Sequence, residues 1–544
     1  MNENHFINLK NLNVMKKFTK STSNLTAITV LLLSLFLFPC IINGVFAQAP
    51  SIQWQKCLGG TNDDRANSIQ QTSDGGFIVA GYTKSNDGDV LGNHGGHDFW
   101  VVKLDGLGAI QWQKYLGGTS DDEAYSIQHT SDGGFIVAGF TDSNNGNVSG
   151  NHGDRDCWVV KLNSSGILQW QKCLGGTDYD EAYSIEQTSD GGFIVVGRTS
   201  SNDGDVSGNH GSSDYWIVKL NNSGTLQWQK CLGGTGADRA NSIQQTSDGG
   251  FIVAGYTYSN DGDVSGHHGT NYPDYWVVKL DGLGAILWQK CLGGTSNDGA
   301  TFIKQISDGG FIVAGFTYSN DGDVSGNHGG FDYWVVKLDN SGNIEWQKCL
   351  GGTSDDYAES IQQTSDGGFI VVGYTSSNNG NVSGNHGGWE YWVVKLNSSG
   401  TIQWQKCLGG TSDDEAYSIQ QTSDGGFIVA GYTSSNDGDV SGNHGSSDYW
   451  VVKLSGTDGI NELDYYNLLS IYPNPFTENA RITFDNPKSE AYRLIIRDIT
   501  GKTVREISEI HGNTIEIHRN DLSTGVYMVE LRGSKSFSGK LVVE

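Results

Sequence analysis

Proline is nearly missing from this chain of 544 residues: there are six, against 77 glycines. Its turns must therefore be made by glycine with Asp and Asn. Positive charge is also short. Lys and Arg number 34 against 61 Asp and Glu, for a net charge of -27. That deficit argues against nucleic acid and anionic membrane surfaces as partners. No CxxC pair, phosphate loop or zinc spacing is present, nor any evident nucleophile–base or acid–base pair. Beyond Phe46 no apolar run is long enough to span a bilayer. Aromatic residues are plentiful at 11%, too many for a disordered chain.

What is present is a repeat. The stretch that begins WQKCLGGTNDDRANSIQQTSDGGFIVAGYT at Trp54 returns from Trp112, Trp170, Trp228, Trp288, Trp346 and Trp404. The step is 58 residues except for one of 60, between Trp228 and Trp288, and the seventh copy stops at Leu454. Each copy reads as four strands, in the first at 66–72, 76–83, 99–104 and 110–116. Ser73-Asp74-Gly75-Gly76 is a tight hairpin signal, because glycine supplies the positive φ such turns need. Phe77-Ile78-Val79-Ala80-Gly81-Tyr82 is apolar on both faces, which suits a sheet packed between two others.

Seven four-stranded antiparallel units predict an all-β fold, a seven-bladed β-propeller over residues 48–454. The chain enters it out of phase. Residues 52–58 are a fourth-type strand with no earlier strands before them, and the last copy ends at its third. The N-terminal strand is thus expected to close the last blade and hide two sheet edges, with Trp54 and Leu58 buried. The pattern D-x-W-V-V-K-L…W-Q-K…G-G…S-I-Q-x-T-S-D-G-G-F-I-V-A-G resembles the repeats of exported bacterial, quinoprotein-like propellers. The resemblance implies the fold and leaves the role open, because such propellers serve many functions.

The flanks point to export. Lys16, Lys17 and Lys20 precede an apolar run from Leu25 to Phe46, and Val45-Phe46-Ala47 ends as a small-residue cleavage site would. Residues 1–47 are expected to be a signal peptide, with Met15 an alternative start and a retained signal anchor the other reading. Residues 455–467 read as a polar linker. The segment 468–544 loses tryptophan and gains proline, and its alternating strands predict a small Ig-like sandwich. It opens with Pro473-Asn474-Pro475, carries Gly501-Lys502 and Gly525-Val526-Tyr527, and ends in Lys540-Leu541-Val542-Val543. These motifs, in this order, resemble the C-terminal sorting domain of type IX secretion cargo in Bacteroidetes. The resemblance implies the type IX machinery as a partner. It also implies delivery to the cell surface or the medium, with no transmembrane segment in the mature chain. The acid is not shared with this module, which holds ten basic and ten acidic residues, while residues 48–454 carry a net of -27.

Cys57, Cys173, Cys231, Cys291, Cys349 and Cys407 occupy one repeat position, replaced once by Tyr115. Equivalent sites on different blades lie too far apart to bridge, so buried free thiols are expected, Cys157 included. Asp64, Asp74 and Asp98 recur in all or nearly all copies (Glu390 in one), and turn-capping is their expected role. His94, His152, His210, His268, His328, His386 and His444 ring one face, each expected to bond within its own loop. In the same loops stand Asp87/Asp89, Asp203/Asp205, Asp261/Asp263, Asp321/Asp323 and Asp437/Asp439, with Asn145/Asn147 and Asn379/Asn381 in the other two copies. Carboxylates two apart around a glycine could share a Ca²⁺ ion; the alternative is an Asx turn capping its own backbone. Arg198, the 267–273 variation, Trp389 and Phe302-Ile303-Lys304 break the seven-fold pattern without assembling a catalytic set. The expectation is a non-enzymatic surface module for binding, adhesion or structure, with an extracellular glycan or protein as ligand. The alternative is a carbohydrate-active enzyme or accessory protein using the propeller face.

Overall fold

The computed structural model describes residues 49–456 and 469–544, apart from 485, 487, 488, 499–501, 521, 534 and 535. The proposed signal peptide, most of the linker and Gly501 lie outside the described residues. The repeats form seven four-stranded antiparallel sheets. Blade 1 is built from Asp64–Gln71, Phe77–Thr83, Asp98–Leu104 and Ile110–Leu116. Blades 2 to 6 repeat this order over residues 122–174, 180–232, 238–292, 298–350 and 356–408. Blade 7 takes its first three strands from Asp414–Gln421, Phe427–Thr433 and Asp448–Leu454, and its fourth from Ile52–Leu58.

The closing strand pairs as its phase requires, Cys57 opposite Trp450 and Leu58 opposite Tyr449. Leu58 is buried, but Trp54 is only half-buried, as are the other outer-strand tryptophans except Trp404. Trp54 meets Phe77 of the next blade edge-on, with centroids 5.8 Å apart.

Burial follows the layer order. The third strand Asp98–Leu104 is buried along its whole length, and the second, Phe77–Thr83, nearly so. Consecutive blades share one apolar cluster each, and the last cluster joins Leu58, Ile428 and Tyr449 to Ala66, Val79 and Trp100, which shuts the ring. The recurring knob is a tyrosine from one blade laid on the buried tryptophan of the next. Tyr449 lies 4.4 Å from Trp100 and donates its hydroxyl to the Trp100 carbonyl at 2.9 Å. Phe99 and Cys157 stand at that position in blades 1 and 2. Phe99 keeps the ring contact, to Trp158 at 4.5 Å. The inner strand carries a bulge between Ala66 and Ser68. It brings the backbone so near Gly81 that a Cβ there would lie 1.9 Å from the Arg65 carbonyl.

The seven cysteines among the described residues are free and buried. Desolvation pushes the Cys57 thiol up to about 12, with Asp448 adding.

The C-terminal module packs two sheets, of three and four strands, around one core that includes Phe476, Ile496, Tyr527 and Leu541. Asn474 ties its opening to its last strand: Nδ2 donates to the Lys540 carbonyl at 2.6 Å, and the Val542 N–H donates to Oδ1 at 2.7 Å. Pro473 and Pro475, on either side, both follow cis peptide bonds. The Tyr527 hydroxyl reaches back to the Ser523 carbonyl at 2.8 Å. Lys502 donates its N–H to Asp498 Oδ1 at 3.1 Å. Gly525 begins the strand Gly525–Arg532.

Candidate functional site: the loop rim and channel mouth

The two rims of the ring are built differently. On the hairpin rim six blades repeat one clip, and blade 5 keeps it without the threonine, which is Ile306 there. Asp74 accepts from the Thr72 hydroxyl at 2.5 Å and the Gly76 N–H at 3.0 Å, and pairs with the buried Lys103 ammonium at 3.0 Å. The Thr72 hydroxyl, then Lys103 and the N–H, hold Asp74 down to about 2 against desolvation. Asp132, Asp190, Asp248 and Asp366 also reach about 2. Desolvation is the largest single influence there, but threonine, lysine and N–H contacts together outweigh it.

The loop rim holds the residues singled out from sequence. Asp64 caps both of its loops, taking the Gly60 N–H and the Ser85 hydroxyl on Oδ2, each at 2.8 Å, and the Thr83 hydroxyl on Oδ1. Asp87 turns toward Thr61, accepting its N–H at 2.8 Å and its hydroxyl at 2.9 Å. Asp203, Asp261, Asp321 and Asp437 do the same to Thr177, Thr235, Thr295 and Thr411. Asn145 fills the role by donating Nδ2 to the Thr119 hydroxyl at 2.9 Å, so an amide serves where a carboxylate does. The second members are less engaged: Asp89, Asp263 and Asp323 accept one long N–H bond each, at 3.3–3.4 Å, while Asp205 and Asp439 stand at the same loop position. Among the described residues no three His, Cys, Asp or Glu side chains gather as a metal-holding group.

Each rim histidine is locked by the carboxylate that opens the third strand. His94 gives both its N–H, at 3.0 Å, and Nδ1, at 2.5 Å, to Asp98 Oδ2. Its Nε2 is left toward solvent, with the side chain 39% exposed. At the junction of blades 4 and 5, His268 Nε2 stands 3.6 Å from Asp323 of the next blade.

Buried carboxyls meet at every junction. A Cβ on Gly59 would lie 2.6 Å from both Asp448 Oδ1 and Asp64 Oδ2, so only a bare glycine passes between them. Asp448 Oδ1 is buried with no hydrogen-bond partner, as are Asp98 Oδ1, Asp214 Oδ1 and Asp332 Oδ1. Desolvation, only partly offset by hydrogen bonds, pushes Asp122, Asp180, Asp214, Asp298, Asp356 and Asp448 up to about 6.

Seven-fold regularity ends at the mouth of the central channel. Lower down, Ser, Ile and Gln side chains of the inner strands line a cavity of about 160 Å³, where Lys304 and Glu186 interrupt a girdle of glutamines. The Gln420 side-chain oxygen accepts the Gln71 N–H at 2.5 Å, linking blade 7 to blade 1. Higher up, blades 1 to 4 are rich in arginine. Arg65 lies 4.2 Å over Tyr432, Arg155 3.6 Å over Phe140 and Arg239 3.8 Å over Tyr183. Arg155 and Arg198 also grip Glu181, at 2.7 and 2.8 Å.

Blades 5 to 7 carry a continuous aromatic arc instead. Tyr318 and Tyr357 each lie 5.0 Å from Phe331. Trp389 lies 5.9 Å from Tyr357 and 5.2 Å from Tyr374, which leads on to Tyr417 at 6.3 Å. Carboxyls border the arc. Asp355 accepts the Phe331 N–H at 3.0 Å, and Asp413 accepts that of Trp389 at 3.1 Å. Glu415 takes the Tyr417 hydroxyl at 2.6 Å. Inside the neck, desolvation pushes Glu359 up to about 8, with Glu415 adding and Arg239 opposing.

Sequence reading located Trp389 and Arg198 but passed over Arg65, Arg239, Glu359 and Tyr357. A signal was there. The inner-strand positions Arg65/Glu123/Glu181/Arg239/Gly299/Tyr357/Glu415 and Asn67/Tyr125/Tyr183/Asn241/Thr301/Glu359/Tyr417 vary widely in an otherwise uniform repeat.

Residues 470–544 match the secretion system C-terminal sorting domain. The protein carries the type IX sorting domain at its C-terminus and is exported, secreted or held at the cell surface. Among the described residues no helix is long and apolar enough to cross a membrane. The chain is 25% identical over 261 residues to the regulatory protein FlaEY of Caulobacter vibrioides, covering 46% of this chain and 26% of that protein. It thus spans about a quarter of that relative's length. Similar solved structures include Sqt1 from Chaetomium thermophilum, at 12% identity, 70% coverage of this chain, 83% of that one and a TM-score of 0.37. An apocarotenoid oxygenase from Synechocystis is similar at 13% identity, 65% and 74% coverage and a TM-score of 0.35.

Proposed function

We propose that the protein is an exported binding module of the cell surface or medium, and that its ligand sits at the channel mouth on the loop rim. In this reading residues 1–47 are a removable signal, 48–454 the functional ring, 455–467 a linker and 468–544 the export address. The observation that carries it is the aromatic arc from Tyr318 to Tyr417. It is the largest departure from symmetry on a scaffold that otherwise repeats itself, and it joins flat apolar faces to hydrogen-bonding groups, as binding surfaces do. The test is to screen the purified full-length protein against arrays of glycans and polypeptides, with Trp389→Ala beside it. A ligand retained by the wild type and lost by the variant supports the reading. A ligand held equally by both removes it.

A second reading, glycosidic hydrolysis, is favoured by one feature: two carboxyls, Glu359 and Glu415, lie in the neck with Glu359 pushed up to about 8. That reaction uses two carboxyls, one of them held protonated as the acid. Glycan turnover abolished by Glu359→Gln would establish it, and no turnover across a broad substrate panel would end it. A calcium role for Asp89, Asp205, Asp263, Asp323 and Asp439 rests on their lighter engagement. Calorimetry at millimolar Ca²⁺ supports it if heat appears and is lost in Asp89→Ala, and opposes it if the wild type gives none.

A further inference from the structure

We propose that the aromatic arc over blades 5 to 7 takes an organic cation: the lysine or arginine side chains of a basic polypeptide. The inference rests on the reading of the loop rim as the ligand face and supplies its ligand class.

The fold provides its own precedent. At three places around the mouth a guanidinium from this chain lies 3.6–4.2 Å over an aromatic ring. At a fourth, His97 stacks on Tyr82 at 4.7 Å. Blades 5 to 7 keep and enlarge the aromatic side of this pairing. Phe331 and Trp389 stand where Arg155 and His97 stand in blades 2 and 1. No Lys or Arg occurs in 316–331, 351–359, 374–389, 411–417 or 432–447, the segments that build this part of the rim. The ring faces that receive a cation elsewhere therefore receive none from their own segments here, apart from Arg65, which reaches Tyr432 from blade 1.

Electrostatics fits the same ligand. Asp355, Asp413 and Glu415 border the arc, and their negative charge adds to the negative faces of the rings. An anionic ligand would be repelled. A neutral sugar would stack but leave that charge unused. The repeats' net charge of -27 steers a basic chain toward the face from a distance, and the arc is long enough to seat more than one side chain. Arginine in particular stacks flat on aromatic faces, as three of this chain's own arginines do.

The test uses purified full-length protein and three probes: an octa-arginine or octa-lysine peptide, tetramethylammonium, and a neutral glycine–serine peptide of equal length. The basic peptide should bind, and added salt should weaken it. Trp389→Ala with Tyr357→Ala should weaken it tenfold or more. Asp355→Asn with Asp413→Asn, which keeps the acceptors for Phe331 and Trp389 while removing two charges, should do likewise with an unchanged melting temperature. Tyr179→Ala, at an exposed ring 5.8 Å from Arg155 on the arginine side, should leave affinity unchanged. Basic-peptide binding that ignores both double variants would mean only that net charge attracts it, and would overturn the inference. Tetramethylammonium binding without peptide binding would overturn the polypeptide source. A neutral glycan that depends on Trp389, with no basic-peptide binding, would overturn the cation while leaving the loop-rim reading intact. No dependence of any ligand on Trp389 would remove both.

Discussion

The two rims of one ring treat carboxylates in opposite ways. On the hairpin rim Asp74 and its counterparts stay more than half exposed, bonded to lysine, and are held below the usual carboxylate range, Asp74 down to about 2. On the loop rim Asp448 and its counterparts are buried beside a second carboxyl and pushed above the usual carboxylate range, Asp448 up to about 6. The same residue type thus supports the fold at one end and strains it at the other. The strained end is also where the copies differ and where the aromatic arc lies. That matches a general pattern, in which local cost collects where a surface is shaped for something other than stability.

The severest way to break the contrast is to open the ring. Deleting residues 49–58 removes the fourth strand of blade 7, uncovers the edge of Asp448–Leu454 and forfeits Leu58, worth ~1.5–3 kcal/mol by itself. Light scattering and thermal melting should show aggregation and loss of the cooperative transition. A monomer with the parent melting temperature would refute the closure.

Acidity should sharpen the contrast. A loop-rim carboxyl near 3.8 unfolded and about 6 folded holds its proton more tightly in the fold. Its stabilising contribution is full below about pH 4 and is lost as pH rises through 6. A hairpin-rim carboxyl at about 2 contributes above about pH 4 and loses that contribution as pH falls toward 2. The melting temperature should therefore peak near pH 4–5 and fall on both sides. A melting curve that climbs steadily from pH 4 to pH 8 would contradict the buried pairs.

Single substitutions should carry opposite signs. Asp448→Asn is expected to raise stability by about 1 kcal/mol at pH 7.5, with the gain gone at pH 5. Lys103→Met is expected to lower it by about 1 kcal/mol at either pH, because it frees Asp74 and takes the ammonium from the Leu104 carbonyl. Denaturant titrations at both pH values decide this pair. The smallest effect concerns the thiols midway between the rims. Reducing agent should leave the melting temperature unchanged, and Cys57 should resist alkylation until the protein unfolds.

Much of this was legible in the chain. A 58-residue step broken once by 60, glycine hairpins and a stray fourth strand at residues 52–58 were enough for the ring and its closure, because the first two recur through the copies and the third shows their phase. The four-residue spacing of His94 and Asp98 also stood in the sequence, although their bond needs the loop to curl back. What could not be read was whatever depends on neighbouring blades. Arg65 finds Tyr432 across more than 360 residues of chain. Glu359 is shifted because the channel collects inner strands from all seven blades. Trp54 falls short of burial at an outer-strand position where Trp404 is buried. Equal spacing in sequence hides these differences.

The join at the closing strand also sets an order of events. Ser51 and Ser455 are hydrogen-bonded across 404 residues, and the strands beside them pair along their length. Six blades can fold as the chain emerges, each from neighbouring segments. The seventh cannot finish until both ends are present, so the last step is a loop closure over the whole ring, the slowest class of contact to make. The same join, once made, holds both ends of the ring at one point. Unfolding from either terminus must first peel apart the strand pair between Ile52 and Leu454, so the fastened ring owes its durability to the rate at which that one clasp opens.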